Sequence, residues 1–99
     1  MLAITIEEIK NKAVPVLRNH DVEFAAVFGS IARGEAQAAG DVDLLVRFRT
    51  TPGLISYIGL ENELADVLGR KVDLATEASL HRLMKSNILR DLKTIYEQR

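Results

Sequence analysis

Several common features are missing from this 99-residue sequence. It contains no cysteine and no tryptophan, only two prolines, and no apolar run long enough to cross a membrane. The absence of cysteine excludes disulfide bonds and zinc sites built on thiolates, and it fits the cytoplasm, where we expect the protein to reside. The N-terminal segment MLAITIEEIK contains acidic residues and lacks the apolar core of a signal peptide, so we expect no contact with a membrane.

An excess of charge of either sign is missing as well. The 13 lysines and arginines nearly balance the 14 aspartates and glutamates, which gives a net charge of -1. Proteins that bind nucleic acid directly use positive charge to neutralise phosphates, so we expect no direct binding of nucleic acid. Hydrophobic residues make up 47% of the chain, which is typical of a folded protein, and the length fits a single domain over residues 1–99.

Apolar residues recur at helical spacing in two segments of the first two thirds of the chain. The first, residues 6–19, follows a capping box that starts at Thr5. Pro15 lies inside this segment and is expected to kink or break the helix, because it removes one backbone donor. The second segment, residues 54–68, ends at Gly69, which is a typical helix C-cap.

A last helix is predicted to begin after Ser79 and to continue to Ile95. Its inward residues would be Leu80, Leu83, Met84, Ile88, Leu92 and Ile95. Leu89 and Tyr96 remain outside this stripe, and a small protein with a second apolar strip usually covers it with another protein. We therefore expect a protein contact on this helix, with a partner or with a second copy in a homo-oligomer.

Three short segments are predicted as strands: residues 23–28, 41–48 and 71–75. In the second of them the side chains alternate, with Val42, Leu44, Val46 and Phe48 on one face and Asp41, Asp43, Leu45 and Arg47 on the other. The predicted order is αβαβαβα. The link between the first two strands holds too little helix for a parallel crossover, so we expect an α/β (α+β) fold with a small mixed sheet and helices packed on one face.

Three aspartates, Asp41, Asp43 and Asp73, are predicted to emerge on the face of the sheet that the helices leave open. Each lies beside a valine or leucine that faces the helices. Carboxylates at such short distances repel one another unless a cation neutralises them, and a site with only oxygen ligands favours Mg²⁺ or Mn²⁺ over zinc. Two such ions are typical of phosphoryl displacement, so these residues predict metal-dependent phosphoryl chemistry.

Gly29 and Ser30, at the end of the first predicted strand, are candidate phosphate-binding residues. Glycine permits a close approach to the backbone, and a serine at a helix N-terminus offers amide and hydroxyl donors to a phosphate. Ser30 could instead serve only as a helix cap. Arg33 could bind a phosphate or form a salt bridge with Glu35 or Asp41, and we include it among the candidate nucleotide-binding residues.

The spacing of these residues resembles the signature of a known superfamily. Gly29-Ser30 is followed, after ten residues, by Asp41-Val42-Asp43. This pattern, together with the segments FGSIARGEA, GDVDLLV, YIGLENELADVLGRKVDL and the closing IYE, resembles the nucleotidyltransferases related to DNA polymerase beta. The small size is similar to that of their minimal members, the MNT proteins that are paired with HEPN toxins. One departure is Gly40, where serine is frequent in the family.

The resemblance implies a nucleotidyltransferase fold and the transfer of a nucleoside monophosphate to a hydroxyl group, with release of pyrophosphate. The usual donor is ATP, and the acceptor implied for the minimal group is a tyrosine of the partner HEPN toxin, which the antitoxin neutralises. Asp41 and Asp43 would hold the metal ions, and Asp73 would share one ion and help to deprotonate the acceptor. Gly29 and Ser30 would bind the triphosphate.

Other functions fit part of the pattern. A pair of aspartates on a surface strand is often only a solvated polar face. An antitoxin with this fold could also neutralise its partner by binding alone, but three convergent carboxylates have no evident use in that case. Modification of a small molecule such as an antibiotic would need a second domain to complete a pocket. The sequence therefore predicts a catalytic antitoxin, with non-catalytic binding as the alternative.

Overall fold

A computed structural model of the chain describes residues 4–34, 40–80 and 85–98. In chain order, its elements are α1 (Ile6–Asn19), β1 (Val22–Phe28), α2 (Gly29–Ala32), β2 (Val42–Phe48), α3 (Leu54–Leu68), β3 (Val72–Ala75), a 3-10 turn (Glu77–Ser79), α4 (Lys85–Arg90) and β4 (Lys93–Glu97). Among these helices, none has both the length and the apolar character needed to cross a membrane.

The four strands form one mixed sheet in the order β3-β2-β1-β4. β1 runs antiparallel to β2 and to β4, whereas β2 and β3 are parallel. A parallel pair requires a crossover connection, and α3 supplies it; the link through α2 is short, and β2 returns antiparallel to β1. The predicted small mixed sheet is therefore confirmed.

The main core lies between one face of the sheet and the helices α1 and α3. It consists of Ile4, Ile9, Ala13, Val16, Leu17, Val22, Ala25, Val27, Ile31, Val42, Leu44, Val46, Leu60, Leu64, Leu68, Val72 and Ile95. β2 contributes every second residue to this core, as its alternation predicted. The second face is less open than expected, because Leu45 and its strand partner Ala26 are buried on it.

α1 begins where the capping box predicted it. The Oγ1 atom of Thr5 accepts a hydrogen bond from the amide of Glu8 at 3.1 Å. A kink or a break was expected at Pro15; the break is wrong, because α1 continues through this residue as one helix, and the kink stays a prediction. Pro15 lies on the exposed side and removes only one backbone donor, while the neighbouring Ala13 and Val16 are buried and hold the helix against the core.

The end of the chain differs from the predicted long helix. The described part of α4 is Lys85–Arg90, and the segment KTIYE that follows forms β4, which pairs with β1. Threonine, isoleucine and tyrosine favour strands, and pairing with β1 overrides the helical spacing of the apolar residues. Ile95 is buried in the core, Tyr96 packs against it, and Leu83 and Met84 lie outside the described residues. The predicted apolar strip is therefore wrong, and a homo-oligomer stays a prediction without this support.

Candidate active site

Asp43 and Asp73 occupy matching positions on the two parallel strands. They are paired in the register of β2 and β3, so their side chains leave the sheet on the same face. The two carboxyl groups lie close enough that the negative charge of Asp73 raises the pKa of Asp43. The structure thus brings together two of the three predicted aspartates.

The environment of Asp43 raises its pKa from 3.8 to about 6. Partial burial is the largest cause, because desolvation disfavours the charged form, and the negative charges of Asp73 and Asp41 add to this effect. The guanidinium of Arg33 acts in the opposite direction and lowers the pKa. Asp43 therefore loses its proton at a pH near 6, and its negative charge is then repelled by Asp73 and Asp41. A bound cation would relieve this repulsion.

Asp41 is exposed and lies immediately before β2. Its charge acts on Asp43, although less strongly than that of Asp73. The backbone before Asp41 is anchored by Arg70, whose Nη1 atom donates a hydrogen bond to the carbonyl oxygen of Gly40 at 3.2 Å. The backbone at Gly40 is therefore held by a hydrogen bond to its carbonyl oxygen, and this bond does not depend on a side chain at position 40.

The donor set fits a hard divalent cation. Within the described ranges, no three acidic or histidine side chains stand close enough together to enclose one ion, so the expected convergence of Asp41 with the other two aspartates is incomplete. Mg²⁺, however, usually takes only one or two carboxylates and retains several waters. The repulsion between the neighbouring carboxylates of Asp43 and Asp73 is one that a bound cation would relieve.

Gly29 lies directly beside the carboxylate of Asp43. Its φ angle is +76°, which favours glycine, and a β-carbon on this residue would lie 2.3 Å from Oδ2 of Asp43. The strand register explains this proximity, because Phe28, the residue before Gly29, is paired with Asp43. The side chain of Asp43 therefore lies against Gly29, and the predicted approach of a phosphate to Gly29 stays a prediction.

Ser30 does not cap α2. Phe28 occupies the N-cap position, and no side chain makes a capping hydrogen bond, so the expected role of Ser30 as a cap is wrong. Ser30 instead lies half-buried within the first turn of α2. Its role in phosphate binding stays a prediction.

A cavity of about 290 Å³ opens beside Asp43. Its lining residues are Phe28, Gly29, Arg33, Asp43, Asn87, Ile88 and Asp91. Three predicted site residues therefore share one cavity with residues of α4 and the turn that follows it. Asn87 and Asp91 were not predicted; their spacing of four indicates a common helix face, but only the tertiary structure brings that face to Asp43.

A larger cavity, of about 770 Å³, lies at the opposite end of β2. It is lined by Val46, Arg47, Phe48, residues 51–54, Tyr57 and residues 76–78. Arg47 follows Asp43 by four residues, a distance of about 13 Å along a strand. This cavity is therefore separate from the carboxylate pair.

Comparison with known proteins places the chain in a family. The family model described as "Polymerase beta, Nucleotidyltransferase" matches residues 11–99. The chain belongs to this nucleotidyltransferase family. The resemblance carried by Gly29-Ser30 and Asp41-Val42-Asp43 is thereby confirmed, and so is the prediction that the protein is an enzyme of the nucleotidyltransferase class.

Curated relatives of this nucleotidyltransferase have almost the same length. A protein of Methanocaldococcus jannaschii, for which protein adenylyltransferase activity is proposed, is 42% identical over 88 residues, which cover 89% of this chain and 95% of the relative. Protein adenylyltransferase MntA of Thermococcus cleftensis is 37% identical over 100 residues, which cover 93% of this chain and 97% of the relative.

Solved structures confirm the predicted fold class. A chain in a crystal structure of a toxin-antitoxin with AMP-PNP matches this nucleotidyltransferase with a TM-score of 0.77 and 24% identity, over 91% of this chain and 74% of that chain. A second match, with a TM-score of 0.71 and 22% identity, covers 93% of this chain and 72% of that chain. It comes from a complex of the tri-AMPylated Shewanella oneidensis HEPN toxin with an MNT antitoxin.

Proposed function

We propose that this nucleotidyltransferase transfers AMP from ATP to a tyrosine hydroxyl of a HEPN-type toxin and thereby acts as its antitoxin. The observation that carries the proposal is the placement of Asp43 and Asp73 side by side on β2 and β3, next to Gly29. This arrangement suits the binding of a cation together with a phosphate chain. Two findings support a protein as the acceptor: the relative MntA is named a protein adenylyltransferase, and the Shewanella toxin that is in complex with an MNT antitoxin is AMPylated.

Asp41, Asp43 and Asp73 are the residues that would hold Mg²⁺, as one or two ions, or Mn²⁺ in its place. The cation would neutralise the triphosphate and polarise the phosphoryl group under attack. Without it, the negative charges of the three aspartates would repel ATP. Binding of ATP is therefore expected to require a divalent cation.

The remaining site residues would bind and orient the substrate. The backbone amides after Gly29 and the hydroxyl of Ser30 can donate hydrogen bonds to the phosphates, and Arg33 supplies positive charge at the same cavity. The tyrosine oxygen forms a bond to the α-phosphorus, and the bond from this phosphorus to the bridging oxygen of pyrophosphate breaks. Asp73 accepts the proton of the tyrosine hydroxyl, and pyrophosphate leaves with the bonding electron pair.

The proposal is tested with the purified protein, ATP labelled at the α-phosphate, Mg²⁺ and a purified HEPN-type toxin. Label is expected on the toxin, and ATP labelled at the γ-phosphate is expected to give none. Asp43→Asn and Asp73→Asn are expected to lower transfer by about 100-fold or more, because each removes a charge that the transition state needs. Calorimetry should detect ATP binding with Mg²⁺ and lose it when EDTA is added.

Two results would contradict the proposal. Equal affinity for ATP with and without the cation would exclude the carboxylates as a metal site. Full neutralisation of the toxin by Asp43→Asn, without transfer of label, would instead support an antitoxin that acts by binding alone.

A further inference from the structure

The backbone of Leu74 is held by two side chains of α3. Its amide donates a hydrogen bond to Oε2 of Glu61 at 3.1 Å, and the hydroxyl of Tyr57 donates one to its carbonyl oxygen at 2.7 Å. Tyr57 and Glu61 are four residues apart, so they lie on the same face of the helix. Both side chains are partly buried in this contact.

These two side chains complete an edge of the sheet. β3 has four residues, and among the strands of the described residues it pairs only with β2. In a parallel ladder the amide and carbonyl groups of one residue point to the same side, and the groups of Leu74 that contact α3 point away from β2. Glu61 and Tyr57 therefore occupy the place of an outer strand, and they satisfy groups that would otherwise have no protein partner on that side.

The residue before Leu74 is Asp73. Its side chain is exposed, so packing does not fix it, and its position depends on the backbone of β3. Asp43, in contrast, lies on β2, which has a strand on both sides and the buried neighbours Val42 and Leu44. The distance between the two carboxylates is therefore controlled mainly by how firmly β3 is held.

We infer that Tyr57 and Glu61 are positioning residues, which hold Leu74 so that Asp73 stays beside Asp43. Neither side chain belongs to the cavity at Asp43, so their effect runs through the backbone of β3. The catalytic consequence rests on the proposed function, whereas the control of the Asp73 position does not. Sequence analysis missed both residues, because an acidic residue and a tyrosine on a helix carry no signal for a contact with a strand edge.

Three substitutions separate this role from general stability. Glu61→Leu keeps a similar volume but removes the acceptor, whereas Glu61→Gln keeps an oxygen that can accept from Leu74 and should restore the contact. Tyr57→Phe removes only the hydroxyl and keeps the ring that packs against Phe48. The matched control is Glu63→Leu, the same replacement on the same helix at a residue that contacts His20 instead of β3.

The full chain and its variants are compared by three measurements. In Glu61→Leu, the amide hydrogen of Leu74 should exchange about tenfold faster by NMR, because one hydrogen bond is lost. Affinity for Mn²⁺ alone should fall about tenfold. At saturating Mg²⁺, kcat for AMP transfer should fall about 10- to 100-fold with little change in KM for ATP, since a small displacement of a catalytic group is costly. Glu61→Gln and Glu63→Leu should remain close to the parent in all three.

The inference is overturned if the Leu74 amide of Glu61→Leu exchanges as in the parent, or if faster exchange leaves Mn²⁺ affinity and kcat unchanged. It is also overturned if Glu61→Gln is as impaired as Glu61→Leu. If Glu61→Leu does not fold, the same three measurements on Tyr57→Phe test the inference instead. A parent without AMP transfer or Mn²⁺ binding would refute the proposed function, and a crystal structure of Glu61→Leu would then show whether Asp73 has left Asp43.

Discussion

Gly29 and Asp43 approach each other so closely that any side chain on Gly29 would collide with the carboxylate. An added β-carbon would lie 2.3 Å from Oδ2 and 3.2 Å from Cγ of Asp43. The turn after β1 therefore restricts where this carboxylate can point. The glycine of the Gly-Ser pair has a role toward the aspartate in addition to the one proposed toward phosphate.

The first prediction concerns Gly29→Ala. This change should lower nucleotide transfer by about 100-fold, because the methyl group displaces the carboxylate of Asp43, and it should destabilise the fold by about 2 kcal/mol through strain and overpacking. Gly34→Ala is the matched control: Gly34 has the same φ of +76°, but no atom lies within 4 Å of its added β-carbon. Comparable activity losses in the two variants would show that backbone strain, not the collision, causes the defect.

The second prediction concerns the stability of Asp43→Asn. The pKa of Asp43 is raised to about 6 in the folded protein, above the ordinary value of 3.8, so the folded state binds this proton more tightly. Its contribution to stability is full below pH 3.8 and is lost as the pH rises through 6. At pH 7.5, Asp43→Asn should therefore stabilise the protein by about 1 kcal/mol, or about 5 °C, since solvent screens a half-buried carboxylate.

Thermal melts at two pH values test whether Asp43→Asn raises the stability of the protein for this reason. The gain of Asp43→Asn over the parent should be present at pH 7.5 and should nearly vanish at pH 3.5, where Asp43 is protonated in the folded protein and mostly protonated in the unfolded chain. An equal gain at both pH values would mean that charge repulsion is not its cause.

The third prediction concerns cation binding. Because a proton on Asp43 competes with a metal ion, affinity for Mn²⁺ should decrease as the pH falls through about 6. Calorimetry at pH 5, 6 and 7.5 measures this dependence. If the affinity for Mn²⁺ is the same at pH 5 and at pH 7.5, Asp43 does not bind the cation. Asp43→Asn should bind Mn²⁺ weakly at every pH.

The fourth prediction tests the two faces of β2. Val42 is completely buried in the main core, so Val42→Asp should unfold the domain, because an unpaired buried charge costs several kcal/mol against a total stability of about 5 to 10 kcal/mol. Asp43→Asn, one residue further on, should remain folded. Circular dichroism and melting curves distinguish the two outcomes, and a Val42→Asp protein that melts like the parent would contradict the assigned faces.

Local patterns in the sequence were sufficient to predict the position of several helices and strands. The capping box at Thr5, the alternation along β2 and the C-cap at Gly69 each depend on residues a few positions apart, and the structure has α1, β2 and α3 at those places. Gly69 indeed adopts a left-handed conformation, with φ of +66°. The spacing from Gly29-Ser30 to Asp41-Val42-Asp43 was sufficient to indicate the nucleotidyltransferase family.

The predictions for β4 and for a break at Pro15 were wrong because contacts with distant parts of the chain override the conformational preference of the local sequence. The segment of β4 has apolar residues at a spacing that also suits a helix. It forms a strand because it pairs antiparallel with β1. Pro15 was expected to interrupt α1, but the burial of its neighbours outweighs one missing backbone donor. In both cases the deciding interactions come from residues distant in the sequence.

The sequence by itself determined which residues of this protein can carry carboxylate chemistry and which face of β2 they occupy, because side-chain alternation is a local property of a strand. Only the tertiary structure decided that β3 lies beside β2 in a register that pairs Asp43 with Asp73. It also decided that Gly29, Asn87 and Asp91 line one cavity with Asp43, and that Glu61 and Tyr57 hold the edge of β3. Strand order, register and side-chain contacts across tens of residues depend on packing of the whole chain, which no local period encodes.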